Sequence, residues 1–378
     1  MKKTITNQPE KIKVDSIKKF LTNSAKYASI STIALGATIS LGTNDANAGD
    51  VSTATTFSAA ATTGAASVIV TTAGTVLTFD STGNVASDAL AITDTVEGNV
   101  IITSNGDASP TAANASVDFT SIVLDAAAAN TNAHSNIVIE DIDDRTGTFI
   151  VTIDGTGTAA NGDLTAEGTL IIRNLENTDT EAMGVVVTDT VNIRGATSVS
   201  TAGGGAVTFT VGATNVATNT TFTGGVTLTE SAAGLATLNV INHGIITGTI
   251  ASGADDTGTL ILAGANTVLG TVGISGGNNL DEIQTDGATV FNLAVAAKTV
   301  DINAATTITG ATTATTITVN AASTLTGAVA ATTVDIDSAT VASSTLTATT
   351  VTVDANTTIT GNLTAITSVT MGDRKSVV

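Results

Sequence analysis

Val300-Asp-Ile-Asn303, Ile317-Thr-Val-Asn320, Val334-Asp-Ile-Asp337 and Val351-Thr-Val-Asp354 are one phrase written four times, each copy at the same interval after the one before. That interval is a 17-residue step. A second apolar position keeps the same step at Ile308, Leu325 and Ile359. Gly310, Gly327 and Gly361 follow it two places later. A third position recurs at Thr312, Val329, Leu346 and Leu363. The unit therefore reads as three short β segments separated by turns. A unit that small cannot bury a core alone and has to stack on its neighbours. The expected fold is all-β: a right-handed parallel β-helix, or β-solenoid. Stacking would put equivalent residues about 4.8 Å apart. Thr316, Thr333 and Thr350 would then form a ladder along one edge.

Composition agrees with a thin stacked coil. Thr, Val and Ile suit a pleated surface because they branch at Cβ. Aromatic residues make up 2% of the chain, with no Trp and the single Tyr at Tyr27. A globular core normally leans on aromatic side chains for buried area, and a narrow coil has little room for them. The chain has no Cys, which excludes a disulfide framework and thiolate metal sites. The net charge of −20 is unevenly placed. Seven of the 13 basic residues lie before Ala48, so the remainder is strongly acidic. Such a surface repels nucleic acid and anionic lipid and attracts divalent cations.

The segment 1–48 reads as an export signal. A basic region ends near Lys26, an apolar stretch runs from Tyr27 to Leu41, and Ala46-Asn-Ala48 is an A-x-A cleavage site. Gly49 would be the new N-terminus. No later stretch is apolar enough to span a bilayer as a helix. A β-barrel would need aromatic girdles that the mature chain lacks. At the other end, Asp373–Val378 breaks the repeat and resembles a translated sequencing adapter. Residues 372–378 are therefore expected to be a non-native tail on a chain that continues. The alternative is a genuine polar tail.

Between these ends, strand-like runs such as Asn136–Ile139, Thr148–Ile153 and Thr169–Ile172 are bounded by Gly, Asn, Asp and Ser. Residues 49–135 are irregularly spaced, with Ala-rich connections such as Ala126–Ala129, and read as an irregular β cap. Residues 136–295 read as β-solenoid with Gly-rich turns, and 296–371 as the regular repeats. Tandem sandwiches are the alternative architecture, but so short and constant a step suits one coil.

Few residues suggest chemistry. His134 and His243 are the only histidines and stand far apart in the chain, which fits turn positions better than catalysis. Glu140-Asp-Ile-Asp-Asp-Arg145 is the densest charge cluster. Its Asp141, Asp143, Asp144 and Arg145 match, on paper, the acid and base set of a polysaccharide lyase. A solvated strand end is the plainer reading. Gly276-Gly-Asn-Asn-Leu-Asp-Glu-Ile283 resembles one Ca²⁺-binding nonapeptide, with Asn279 in place of a glycine. Asp281 and Asp286 are its candidate metal ligands, although such motifs work in tandem. Gly203–Gly205 lacks the Lys-Ser/Thr ending of a phosphate loop and reads as a turn. No catalytic residues and no required cofactor are expected, Ca²⁺ aside.

The run Thr257-Gly-Thr-Leu-Ile-Leu-Ala-Gly-Ala-Asn-Thr-Val-Leu-Gly270 resembles the short repeat of autotransporter passenger domains. The long signal and the Thr/Gly/Asn-rich, Cys-free composition are similar too. The resemblance implies export to the cell surface, a β-helical passenger, and adhesion or surface coating. The partner would be a host or neighbouring cell, or another copy. The tether would be an outer-membrane translocator barrel, which this sequence does not contain. The alternatives are a surface-layer or matrix subunit that assembles laterally with Ca²⁺, and a β-helix enzyme acting on an anionic polysaccharide.

Overall fold

The computed structural model describes residues 49–51, 55–58, 63–70, 75–81, 84–85, 88–94, 98–104, 115–119, 121–124, 135–142, 147–154, 163–175, 181–212, 220–231, 234–242, 244–274 and 277–372. The signal segment, the tail 373–378, the Ala126–Ala129 connection, His134, His243, Asp143, Asp144 and Arg145 lie outside them.

The described strands form a parallel β-solenoid of three stacked sheets. Sheet one has 14 strands, sheet two has 8 and sheet three has 13. The chain visits them in rotation. In one coil, Leu164–Ala166 lies in sheet one, Leu170–Asn174 in sheet two and Met183–Val187 in sheet three. The next coil repeats the visit with Val191–Ile193, Thr197–Thr201 and Val207–Val211, each parallel to its predecessor. Strands from Gly49 onward belong to the same three stacks, so the irregular spacing of 49–135 is carried by the connections.

Strand residues alternate between the interior and the surface. Leu170, Ile172 and Asn174 point in, while Ile171 and Arg173 are only partly covered. Because the named strands pair in parallel, with register shifts only where Thr63–Val70 meets Asp88–Asp94 and where Leu346–Val353 meets Leu363–Met371, inward residues land on inward residues of the next coil. The interior is therefore a continuous set of columns of Val, Ile and Leu. Phe209 and Phe222 are fully buried and meet edge to face with centroids 6.1 Å apart. Phe119, Phe149 and Phe291 are likewise inside the coil.

Coil length grows from the first coils up to the step from Ile122 to Leu164 and falls, unevenly, after it. In sheet one Ile122 pairs with Leu164, Leu164 with Val191, Asn266 with Thr289, and Thr289 with Thr306. Each of these steps in sequence is shorter than the one before, and the last is the constant step of the repeats. Sheet two narrows in the same direction. Its last named strand, Ile250–Ser252, is followed by single parallel bridges at Val272 and Val295. From Val295 onward the second and third segments fuse into eight-residue strands: Val295–Ile302, Thr312–Val319, Val329–Ile336 and Leu346–Val353. The repeat unit therefore has the three apolar contacts expected, but on two strands. The turn between the second and third contacts has been absorbed into a bend. The regular step also begins earlier than 296, since Leu280 already pairs with Ala297.

Two corners explain the repeated small and polar residues. After sheet one, the corner brings backbones into close approach. A Cβ on Gly327 would lie 1.9 Å from the Gly310 carbonyl oxygen, and one on Gly310 would lie 2.2 Å from that of Leu293. Before sheet one, a buried hydroxyl closes the turn by donating to the carbonyl two places upstream. Thr289 donates to Gly287, Thr306 to Ala304, Ser323 to Ala321 and Thr340 to Ser338, at 2.9–3.1 Å. These bonds give the half-buried corner carbonyls a partner.

Candidate functional site

Sheet three carries most of the charge in the regular coils, and it starts with the two residues marked out as calcium ligands. Asp281 lies at the start of strand Leu280–Thr285, where its Oδ1 accepts a hydrogen bond from Lys298 Nζ at 2.8 Å. Asp286 lies just past the other end. Its carboxylate takes hydrogen bonds from Gln284 Nε2 at 2.9 and 2.7 Å and from Asn303 Nδ2 at 3.0 Å. A span of extended chain, about 17 Å long, separates the two. The structure therefore does not bring them together around one ion. The preceding turn is held by Asp255, whose Oδ1 accepts from the Asn279 amide at 3.1 Å.

Asp286 is instead the foot of a column that climbs one coil at a time. Asn320 Nδ2 donates to Asn303 Oδ1 at 2.8 Å, and Asn303 Nδ2 donates to Asp286. An amide can both accept and donate, so it propagates such a column. The next two positions are Asp337 and Asp354, and carboxylates only accept. There the column changes from a chain of hydrogen bonds to a stack of like charges. Asp335, two places before Asp337 and on the same outward face, completes a group. Carboxylate oxygens of Asp335, Asp337 and Asp354 all lie within 4.8 Å of one another. Asp337 and Asp354 are exposed, whereas Asp335 is half-buried. Asp335 Oδ1 is shielded from solvent and accepts no hydrogen bond. Burial first, then the charges of Asp337 and Asp354, hold the Asp335 carboxyl above its ordinary value of 3.8. Glu282 is held above 4.5 in the same way, by burial and then by Asp301, Asp281 and Asp286.

Three converging carboxylates offer the hard oxygen ligands that suit Ca²⁺, with water completing the shell on the exposed side. This group was legible in the repeat period. Asp337 and Asp354 stand one period apart, which places them on adjacent rungs. Reading Val334–Asp337 and Val351–Asp354 as strand signals alone passes over their carboxylates.

The described basic side chains each clamp one coil to the next. Arg173 pairs with Glu140 at 2.6 Å, Arg194 with Glu167, and Lys298 with Asp281. Glu140 and Asp141 are adjacent on strand Asn136–Asp141 and so face opposite ways. Glu140 points out to Arg173. Asp141 is buried and receives the Ser104 hydroxyl. These two members of the charge cluster therefore do not share a groove. Gly203–Gly205 lies in the corner between Thr197–Thr201 and Val207–Val211, as a turn. Thr316, Thr333 and Thr350 stand in register as expected. Among the described residues no helix is long and apolar enough to cross a membrane.

No family model matches the chain, and neither does any curated protein or solved structure. The autotransporter-like run Thr257–Gly270 has a complete account in coil geometry. Leu260, Leu262 and Val268 point inward. Asn266 closes the corner: its Oδ1 accepts from the Gly244 amide at 2.8 Å, and its Nδ2 donates to the Gly264 carbonyl at 2.9 Å. Gly270 approaches Gly248 at the next corner. The motif is thus a signature of the solenoid coil itself.

Proposed function

We propose that this is a non-enzymatic, exported cell-surface protein whose solenoid acts in adhesion or surface coating, as an autotransporter passenger does. The observation that carries this reading is the set of in-register outward rows. Thr299, Thr316, Thr333 and Thr350 repeat one side chain at one-coil intervals, as does the outward row Asp301, Thr318, Asp335 and Thr352 with alternating types. Repeated identical groups on a stiff support favour many weak contacts made together over one deep pocket. The basic and apolar segments before Gly49 support export. The test is to treat intact cells of the source organism with protease and follow the chain with an antibody against residues 277–372. The reading expects loss of signal from intact cells, and binding of the purified chain to cell surfaces that rises steeply with its density on beads. Full protection in intact cells would refute export, and density-independent binding would refute the multivalent mechanism.

The Asp335, Asp337 and Asp354 group favours a second reading, lateral assembly into a surface layer with Ca²⁺ between subunits. EDTA should then release the chain from cells and added Ca²⁺ should restore it. Retention after EDTA would discard this reading and leave the first intact.

A further inference from the structure

We propose that the outward face of sheet one is a docking surface for a second copy of this chain, joined about a two-fold axis that runs along the stack of coils. Parallel pairing lines up the central outward residues of this sheet in a row from Thr221 to Thr358, eight rungs long. The row holds only Thr, Val and Ile. The row two residues later, which includes Asn292, Thr309, Thr326 and Ser343, is also uncharged. Two residues earlier stand Ala288, Ala305, Ala322 and Ala339. The coils below differ, with Asp163, Glu167 and Arg194 at the equivalent corners of the same sheet. In the centre row Ile245, Val290 and Val341 are 41%, 37% and 41% exposed. Of the large apolar side chains described as exposed between Ile245 and Val341, all but Ile274 lie on this face or at its edge. Hydroxyls beside the row are already satisfied. Thr309 Oγ1 donates to the Asn292 carbonyl at 2.8 Å, and Thr247 and Thr326 Oγ1 donate to the Phe222 and Ile308 carbonyls at 3.2 Å. Covering these residues strands none of those donors. A partner that binds through hydrogen bonds, such as a glycan, would find them taken.

Spacing, charge and area select a second copy as the occupant. A row of side chains about 4.8 Å apart keeps in step along its whole length only with a partner of the same spacing, and another copy has that spacing. The chain carries a net charge of −20, so two copies repel wherever their acids meet. The uncharged face is where they can touch. Seven steps of about 4.8 Å and a width of five residues at about 3.4 Å give about 34 Å by about 17 Å, or roughly 580 Å² on each copy. The two sides together lie near the lower limit for a specific interface, so the dimer should form at micromolar concentration. Asp286, Asp337 and Asp354 border the alanine side of the face, each four residues before a member of the centre row. Leu293, Gly310, Gly327 and Ser344 border the other side. An axis along the stack turns one copy so that its alanine side meets the threonine side of its mate. Small residues then face larger ones, and each aspartate edge faces an uncharged one. An axis across the stack would instead bring the two aspartate edges together. A two-fold contact of this kind is self-complementary and closes at a dimer. It rests on neither functional reading, since it needs no Ca²⁺ and no cell surface.

Sedimentation velocity of the full-length chain in EDTA, across the micromolar range, should show a monomer–dimer equilibrium. Val341→Lys sets like charges against each other on the axis and should weaken the dimer by roughly a hundredfold. Val341→Glu alone should do the same. Mixing these two variants should restore the dimer, because position 341 faces its own counterpart. Mixing Val341→Lys with Val290→Glu should not, because the two positions are three rungs apart, about 14 Å. Thr318→Lys, on the outward face of sheet three, should leave the dimer unchanged. Circular dichroism should show the same β content for all the variants. A chain that stays monomeric throughout, or a dimer that forms only when Ca²⁺ replaces EDTA, would overturn the proposal. So would a dimer that Val341→Lys leaves intact with the fold preserved. Rescue by Val290→Glu in place of Val341→Glu, or by neither, would overturn the orientation of the axis.

Discussion

Asp335→Asn should stabilise the coil that carries it, although it exchanges a charged group for a neutral one. The magnitude follows from the geometry. Asp335 has two carboxylate neighbours, Asp337 and Asp354, within 4.8 Å. Two unit charges at that distance repel by about 0.9 kcal/mol in a water-like dielectric. Physiological salt reduces this by about half, so two neighbours leave about 1 kcal/mol. Solvent on the exposed side argues against any larger figure. A stack of coils need not unfold in one step, so the readout should be local. Native-state hydrogen exchange of peptides covering Val329–Ile336 and Leu346–Val353 reports the opening of those rungs. About 1 kcal/mol corresponds to roughly fivefold slower exchange at neutral pH. Raising the salt to about 1 M should shrink the difference between the two proteins. Faster exchange in the variant, or a benefit that salt leaves unchanged, would show that repulsion does not govern this group.

The same carboxylates set a pH dependence. Asp335 and Glu282 have folded pKa values raised above their ordinary 3.8 and 4.5. Their contribution to stability is fully present below those ordinary values and is lost as pH rises through the raised ones. Exchange in these coils should therefore slow as pH falls from neutral towards the ordinary carboxylate range, after correction for the intrinsic rate. Phe209→Ala should cost about 3–5 kcal/mol, because the side chain is fully buried and the coil cannot collapse around it without shifting whole rungs. Thermal or urea unfolding monitored by circular dichroism measures the cost. Two glycine substitutions should have opposite signs. Gly184→Ala meets its nearest atom, Ile150 Cγ1, at 3.9 Å and removes a glycine from a strand, so its melting temperature should hold or rise slightly. Gly327→Ala places a methyl 1.9 Å from the Gly310 carbonyl oxygen, so its melting temperature should fall.

The regular coils were legible because the period is constant and each coil uses the same residue types at the same turn. Val300, Ile317, Val334 and Val351 do stack as one inward column. The fused strand was less legible. A bend without a Gly or Asn leaves no punctuation, so Thr312 and Ile317 read as two segments although they share one strand. The early coils were hardest, because connections of varying length hide a register that the strands themselves keep. The acidic group is hidden when the repeats are taken as backbone pattern only. The step that aligns Val334 with Val351 also aligns Asp337 with Asp354, and carboxylates aligned on neighbouring rungs are a chemical feature. Asp281 and Asp286 belong to a local motif, which says nothing about which end of a strand each will occupy.

The constant step has an evolutionary meaning. A coil such as Thr306–Ala322 meets its neighbours through positions that its neighbours share. Duplicating in frame the gene segment that encodes one coil would insert one more rung without asking any other residue to change. Deleting it would remove one. Each event changes reach by about 4.8 Å and leaves the joints intact. Length in the regular coils is therefore a trait that selection can adjust in uniform increments. The earlier coils, with their unequal connections, cannot be copied or cut so freely. One end of the chain is free to vary in extent while the other is held to individual detail.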